Sequence, residues 1–146
     1  IFDMSGNLLE VLSDTYISEV RCSYDPNDKH VSPEGVLAQK YTPIASPLTY
    51  HINFQNTGND TAYDVSILDT LDSDLDLATF QVLGSSHELS TQMTVNGEVR
   101  FNFFTIMLPD SGTDEPGSHG WVTYRISPKS GLADPTQITN TSYILL

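Results

Sequence analysis

From residue 46 onward, apolar and polar residues alternate along the chain. In 46–56, SPLTYHINFQN, Leu48, Tyr50, Ile52 and Phe54 fall on one face, with Thr49, His51, Asn53 and Gln55 on the other. Successive side chains of a strand point to opposite faces, so this stretch reads as a half-buried strand. The turn formers Asn56-Thr57-Gly58-Asn59-Asp60 close it. Residues 62–69, AYDVSILD, repeat the alternation, with Asp69 continuing the parity of Tyr63, Val65 and Ile67. Further strands are expected over 79–83, 89–95, 98–107, 120–127 and 137–145, and Asn96-Gly97 is the best short hairpin signal. No window combines apolar spacing of 3.6 with helix caps, and Pro and Gly interrupt most of them. About seven short strands separated by turns predict an all-β protein, an immunoglobulin-like antiparallel β-sandwich. The Cys–Trp–Cys hallmark of antibody domains is missing, so that kinship is architectural.

Residues 1–22 read differently. IFDM and LLEVL form two short extended pieces around a Ser5-Gly6-Asn7 turn, a terminal hairpin or the tail of a preceding module. The sandwich is expected over 23–146, with its final strand clipped or completed from elsewhere. Loop 108–119, LPDSGTDEPGSH, is the longest turn-rich insertion and is expected to cross one end of the sandwich.

The 146 residues suit one domain of ordinary size that can bury a core without disulfides. Nineteen acids against six bases give a net charge of −13. Phosphate binding needs the opposite sign, so nucleic acid and anionic membranes are poor partners. The single cysteine, Cys22, excludes an internal disulfide and a Cys-based zinc site. No apolar run is long enough to insert in a membrane, and the opening Ile suggests a piece of a longer polypeptide.

Several stretches resemble a known module. SYDPNDK (23–29), LTYHINFQNTGNDTAYDVSILDTLDSDLDLATF (48–80), GSSH (84–87), LPDSGTDEPGSHG (108–120) and ITNTS (138–142) resemble the bacterial conserved-repeat domain of large secreted Bacteroidetes proteins. The resemblance covers roughly residues 23–143. It implies a β-sandwich of secreted or cell-surface proteins, often near a sorting domain of the type IX secretion system, serving as a spacer or adhesion unit. Such a module has no catalytic residues, and its partners are neighbouring domains of the same polypeptide or other copies through strand exchange. Family members usually continue with an aromatic-acidic strand, whereas this chain stops at Tyr143-Ile144-Leu145-Leu146.

Candidate chemistry lies in four places. The four histidines (His30, His51, His87, His119) lack metalloprotease spacing, and no G-x-S-x-G elbow is present, so no active site is expected. His119 is expected to fix its loop by a hydrogen bond. Asp25, Asn27 and Asp28, and separately Asp72, Asp74 and Asp76, offer the hard oxygens calcium prefers; the alternative is that they are turn formers. The second run starts like an EF-hand but has Leu77 at the Gly position and Leu83 at the Glu position, which excludes that motif. Calcium is therefore the one cofactor candidate. Asp60-Thr61-Ala62 and Asp69-Thr70-Leu71 weakly match a Bacteroidetes O-glycosylation pattern.

Some β-sandwiches of Gram-positive pili and adhesins, which this one resembles in architecture, join a first-strand lysine to a last-strand asparagine with help from a buried acid. The corresponding residues here are Lys29, Asp69 and Asn140, each sharing the parity of apolar neighbours. Unpartnered, such side chains are costly to bury. The plainer alternatives are a solvated Lys29, an Asp69 that caps its strand, an Asn140 bonded to backbone, or a noncovalent pairing of Lys29 with an aspartate. Trp121 falls on the outward parity of its strand, a candidate stacking platform for a sugar ring or a residue packed under the long loop. A carbohydrate- or other ligand-binding accessory module is thus the alternative to the spacer.

Overall fold

The structure, a computed structural model, describes residues 11–14, 27–33, 41–43, 46–132, 136–138 and 140–146. The strands in chain order are β1 (Val11–Asp14), β2 (Asp28–Ser32), β3 (Tyr41–Pro43), β4 (Leu48–Gln55), β5 (Val65–Thr70), β6 (Leu75–Ser85), β7 (Ser90–Met93), β8 (Glu98–Phe103), β9 (His119–Pro128), β10 (Thr136–Ile138) and β11 (Thr141–Leu145). A 3-10 turn, Pro116–Ser118, precedes β9. Among the described residues no helix is long and apolar enough to cross a membrane.

Two four-stranded antiparallel sheets make the sandwich, in the orders β2-β4-β9-β6 and β11-β5-β8-β7. That is one strand more than the sequence pattern suggests, because β2 starts on the last two residues of SYDPNDK, runs to Ser32 and pairs with β4. The inward faces follow the alternation. Leu48, Tyr50, Ile52 and Phe54 of β4 and Val122, Tyr124 and Ile126 of β9 are buried, facing Val65 and Ile67 of β5 and Val99, Phe101 and Phe103 of β8. Aromatic rings stitch the two layers together, Phe54 against Phe103 at 5.1 Å and Phe101 against Tyr124 at 5.5 Å between centroids. Burying such side chains contributes about 1.5–3 kcal/mol each.

A third, three-stranded sheet has the order β10-β1-β3. In it β1, from the N-terminal segment, runs parallel to β10 and antiparallel to β3. The expected Ser5-Gly6-Asn7 turn lies outside the described residues.

Two expected strands end early. The strand predicted over 98–107 stops at Phe103, because Thr105 and Met107 take positive φ and reverse the chain. The strand predicted over 137–145 is two, β10 and β11. The Asn96-Gly97 hairpin exists, with Gly97 at φ +84° supplying the left-handed residue, but its loop runs over residues 94–97 rather than a two-residue turn.

Three of the sequence motifs meet at one end of the sandwich. Asn27 Oδ1 accepts a hydrogen bond from the Gln55 backbone N–H (2.9 Å), fixing the start of β2 against the end of β4. Gln55 Nε2 donates to Ser118 Oγ (2.8 Å), and the Asn56 N–H donates to the Ser118 carbonyl (3.0 Å). Asn56 Nδ2 donates to the carbonyls of Asp60 (2.8 Å) and Leu108 (3.0 Å). The buried Asn56 thereby clamps both its own turn and the root of loop 108–119. Gly120 is required beside it, since a Cβ there would collide with the Phe54 ring, its register partner across β4 and β9.

Candidate functional site

Where apolar side chains would continue the core at one edge, polar ones stand instead. Lys29 alternates with Val31 on β2, Asp69 continues Val65 and Ile67 on β5, and Ser142 precedes Ile144 on β11. All three point inward, as does Asn140 just before β11. Lys29 is 5% exposed and Asp69 0%.

These side chains bond to one another across the two sheets. Lys29 Nζ donates to Asp69 Oδ2 at 2.9 Å and to Ser142 Oγ at 2.7 Å. The Tyr124 hydroxyl donates to the same Asp69 Oδ2 at 2.5 Å, and Asn140 Nδ2 donates to the Tyr124 oxygen at 2.8 Å. Tyr124 stacks on Tyr50, and Nζ lies 5.0 Å from the Tyr50 ring centroid. The amine therefore sits in a buried compartment walled by the Tyr50 and Tyr124 rings. Among the described residues, Asp69 Oδ1 and Asn140 Oδ1 meet no hydrogen-bond donor.

Burial sets the chemistry. Desolvation pushes the Lys29 amine below its ordinary value, against the opposing pull of the Asp69 charge and hydrogen bond. Burial also raises the Tyr124 hydroxyl well above its usual range, and the negative charge of Asp69 adds to that. A lysine eased toward its neutral form is a nucleophile, and a carboxyl beside it can move protons.

The other candidates are dispersed. Asp25 lies outside the described residues, and so does Cys22. Asn27 is spent on the Gln55 N–H, and Asp28 makes an exposed contact with His30 at 2.5 Å. Asp72 and Asp76 accept from backbone N–H groups two residues on, at Asp74 and Ala78. Among the described residues no three His, Cys, Asp or Glu side chains gather as metal ligands. His119 bonds Glu115 at 2.8 Å and holds the loop. Thr61 is half-buried and Thr70 exposed, while Asp69 of the second glycosylation match is in the core.

Trp121 is 37% exposed on the outer face of its sheet, 5.5 Å from the His51 ring and in contact with the position of Gly84. A surface pocket of about 150 Å³ lies elsewhere, lined by Glu88, Leu89, Ser90, Asn102, Phe104 and Thr105. That is below the roughly 300–1,000 Å³ of a small-molecule site.

Tyr124 and Ser142 are the cluster members that sequence reasoning missed. Tyr124 was legible as inward from its parity with Val122 and Ile126, but nothing local said that its hydroxyl meets Asp69. Ser142 shares parity with Asn140, which is the only signal available.

The profile of a domain family, described as a domain of unknown function (DUF7619), matches residues 25–146, from within SYDPNDK to the last residue. The chain belongs to the DUF7619 family. No curated protein matches this DUF7619 domain in sequence. Among solved structures, it is similar to the T6 backbone pilin of serotype M6 Streptococcus pyogenes (10% identity, 82% of this chain and 35% of the pilin, TM-score 0.48). It thus spans about a third of the pilin's length. It is also similar to the collagen-binding domain of a Staphylococcus aureus adhesin (11% identity, 84% and 99% of the two chains, TM-score 0.41). A third is ACE19, the collagen-binding subdomain of the Enterococcus faecalis surface protein ACE (12% identity, 84% and 98%, TM-score 0.43).

Proposed function

We propose that this DUF7619 domain is a non-catalytic structural module, a spacer or repeat unit of a large secreted or cell-surface protein, supporting adhesion or filament assembly. The observation that carries the reading is the tie between the first and last sandwich strands. β2 and β11 are edge strands of opposite sheets, and Lys29 on one bonds to Ser142 on the other. Tension entering at the two ends of the sandwich reaches β2 and β11, where this tie opposes separation of the layers. The resemblance of its motifs to secreted Bacteroidetes repeat domains supports an extracellular placement and neighbouring domains of the same polypeptide as partners.

A second reading, carbohydrate binding, is favoured by one observation: Trp121 is half-exposed beside His51 on an outer sheet face. A stacking platform usually needs an open aromatic face. Glycan-array screening of the wild type and Trp121→Ala separates the two. The spacer reading expects no specific binding by either protein; specific binding lost in Trp121→Ala overturns it.

A further inference from the structure

We infer that Lys29 and Asn140 become joined by an intramolecular amide bond in the folded core, with Asp69 as the proton carrier. The inference goes beyond the spacer reading and does not depend on it. Its starting point is the pair of buried oxygens, Asp69 Oδ1 and Asn140 Oδ1, that meet no donor among the described residues. A buried acceptor without a donor is destabilising. Moving one proton from Lys29 to Asp69 supplies a donor on the carboxyl oxygen and leaves the lysine as an amine. The carboxylic acid can then hydrogen-bond the Asn140 carbonyl, which polarises it toward attack.

The nucleophile is already in place. Nζ is held at Ser142 Oγ, two residues along the chain from Asn140, and at Asp69 Oδ2. The amide nitrogen of Asn140 is tied to that same Asp69 oxygen through the Tyr124 hydroxyl. Attack requires the flexible lysine side chain to turn from Ser142 toward Asn140 Cγ. Burial favours the uncharged amine this requires, because desolvation lowers the Lys29 pKa.

The step balances without an added reactant. The Nζ lone pair forms the N–C bond to Asn140 Cγ, and the carbonyl π electrons move onto Oδ1. Asp69 takes one proton from Nζ and delivers one to Nδ2. The carbonyl re-forms, the Cγ–Nδ2 bond breaks, and Nδ2 leaves as ammonia. The product is a secondary amide whose N–H and C=O match the two oxygens of a protonated Asp69, acceptor and donor respectively. Tyr124 is a positioning residue that orients the Asn140 amide. Asp69 is not the electrophile, since it is the only carboxyl among the cluster's described contacts, and consuming it would remove the proton carrier.

Intact-mass measurement of the denatured full chain, followed by tandem mass spectrometry of its digest, tests this on the wild type. The expected result is a deficit of one ammonia together with a branched peptide joining the Lys29 and Asn140 fragments. Full theoretical mass overturns the inference. A deficit of one water with Lys29 joined to Asp69 also overturns it. So does an ammonia deficit without the branched peptide, which marks cyclisation at another asparagine. Lys29→Arg and Asn140→Asp serve as variants. Lys29→Arg is expected at full mass, and a persisting ammonia deficit there overturns the assignment to Lys29. Asn140→Asp is expected either at full mass or with a deficit of one water, from a link between Lys29 and the introduced carboxyl. In Asn140→Asp a persisting ammonia deficit overturns the assignment to Asn140.

Discussion

Lys29 and Ser142 lie 113 positions apart in the chain and share a 2.7 Å hydrogen bond in the core. Through it, and through Asp69 beside it, the edges of the two sheets are held together by polar side chains where apolar packing would otherwise run on. Removing one partner of such a buried pair leaves the other's charge uncompensated, which costs about 3–5 kcal/mol. Measured against wild-type protein in which Lys29 is still a free amine, Lys29→Met is therefore expected to lower the urea midpoint by that equivalent at unchanged slope. Adding Asp69→Asn to it removes the stranded charge, and the double variant is expected to be more stable than Lys29→Met alone. A double variant less stable than the single would show that Asp69 contributes through other contacts.

Tyr124 gives the fold an alkaline weakness. Its hydroxyl is held well above the ordinary 10.0 by burial and then by the Asp69 charge. Above pH 10 the unfolded chain releases this proton and the folded one keeps it, so stability falls as pH rises. Lys29 as a free amine acts the other way. Its folded value is lowered from 10.5, so between that lowered value and 10.5 the unfolded chain binds more protons and stability rises with pH. Above 10.5 the Tyr124 contribution remains. Urea midpoints followed through that range are expected to fall less steeply for Tyr124→Phe than for the wild type. Parallel slopes would remove Tyr124 as the source.

Gly120 faces the Phe54 ring with no room for a Cβ. Phe54 in turn packs on Phe103 of the opposite sheet. Gly120→Ala is expected to push that ring off its seat at a cost of about 1–3 kcal/mol, the usual range for overpacking. Thermal denaturation measures the loss. A melting temperature equal to the wild type's would mean that the β4–β9 pair spreads freely.

Asn56 satisfies the carbonyls of Asp60 and Leu108 with one amide group. Asn56→Ala removes the side-chain donor of the exposed Asp60 carbonyl, while the Leu108 carbonyl keeps the Ala62 N–H (2.9 Å). The expected loss is therefore about 1 kcal/mol, the low end of the range for a lost hydrogen-bond partner. Amide hydrogen exchange is expected to accelerate over residues 108–118 and little in β8. Uniform acceleration across both would instead indicate global destabilisation.

The alternation in 48–55 and 65–69 was enough to place β4 and β5 and to say which side chains face inward, because a strand's period of two is a local property of the backbone. Parity also put Lys29, Asp69 and Asn140 on inward positions. What local pattern could not convey was their contact. Lys29 meets Asp69 across 40 positions and Tyr124 meets Asp69 across 55, distances set by how two sheets stack. The end of β8 at Phe103 escaped prediction for a related reason. Residues 104–107 alternate well enough for a strand, yet the Thr105 N–H is taken by the Asp64 side chain (2.7 Å). The sequence by itself determined the main sandwich strands and their inward faces, through local sterics and the pleat. The tertiary structure decided that a lysine, two hydroxyls, a carboxyl and an amide share one buried compartment, because burial and long-range pairing exist only once the sheets have closed.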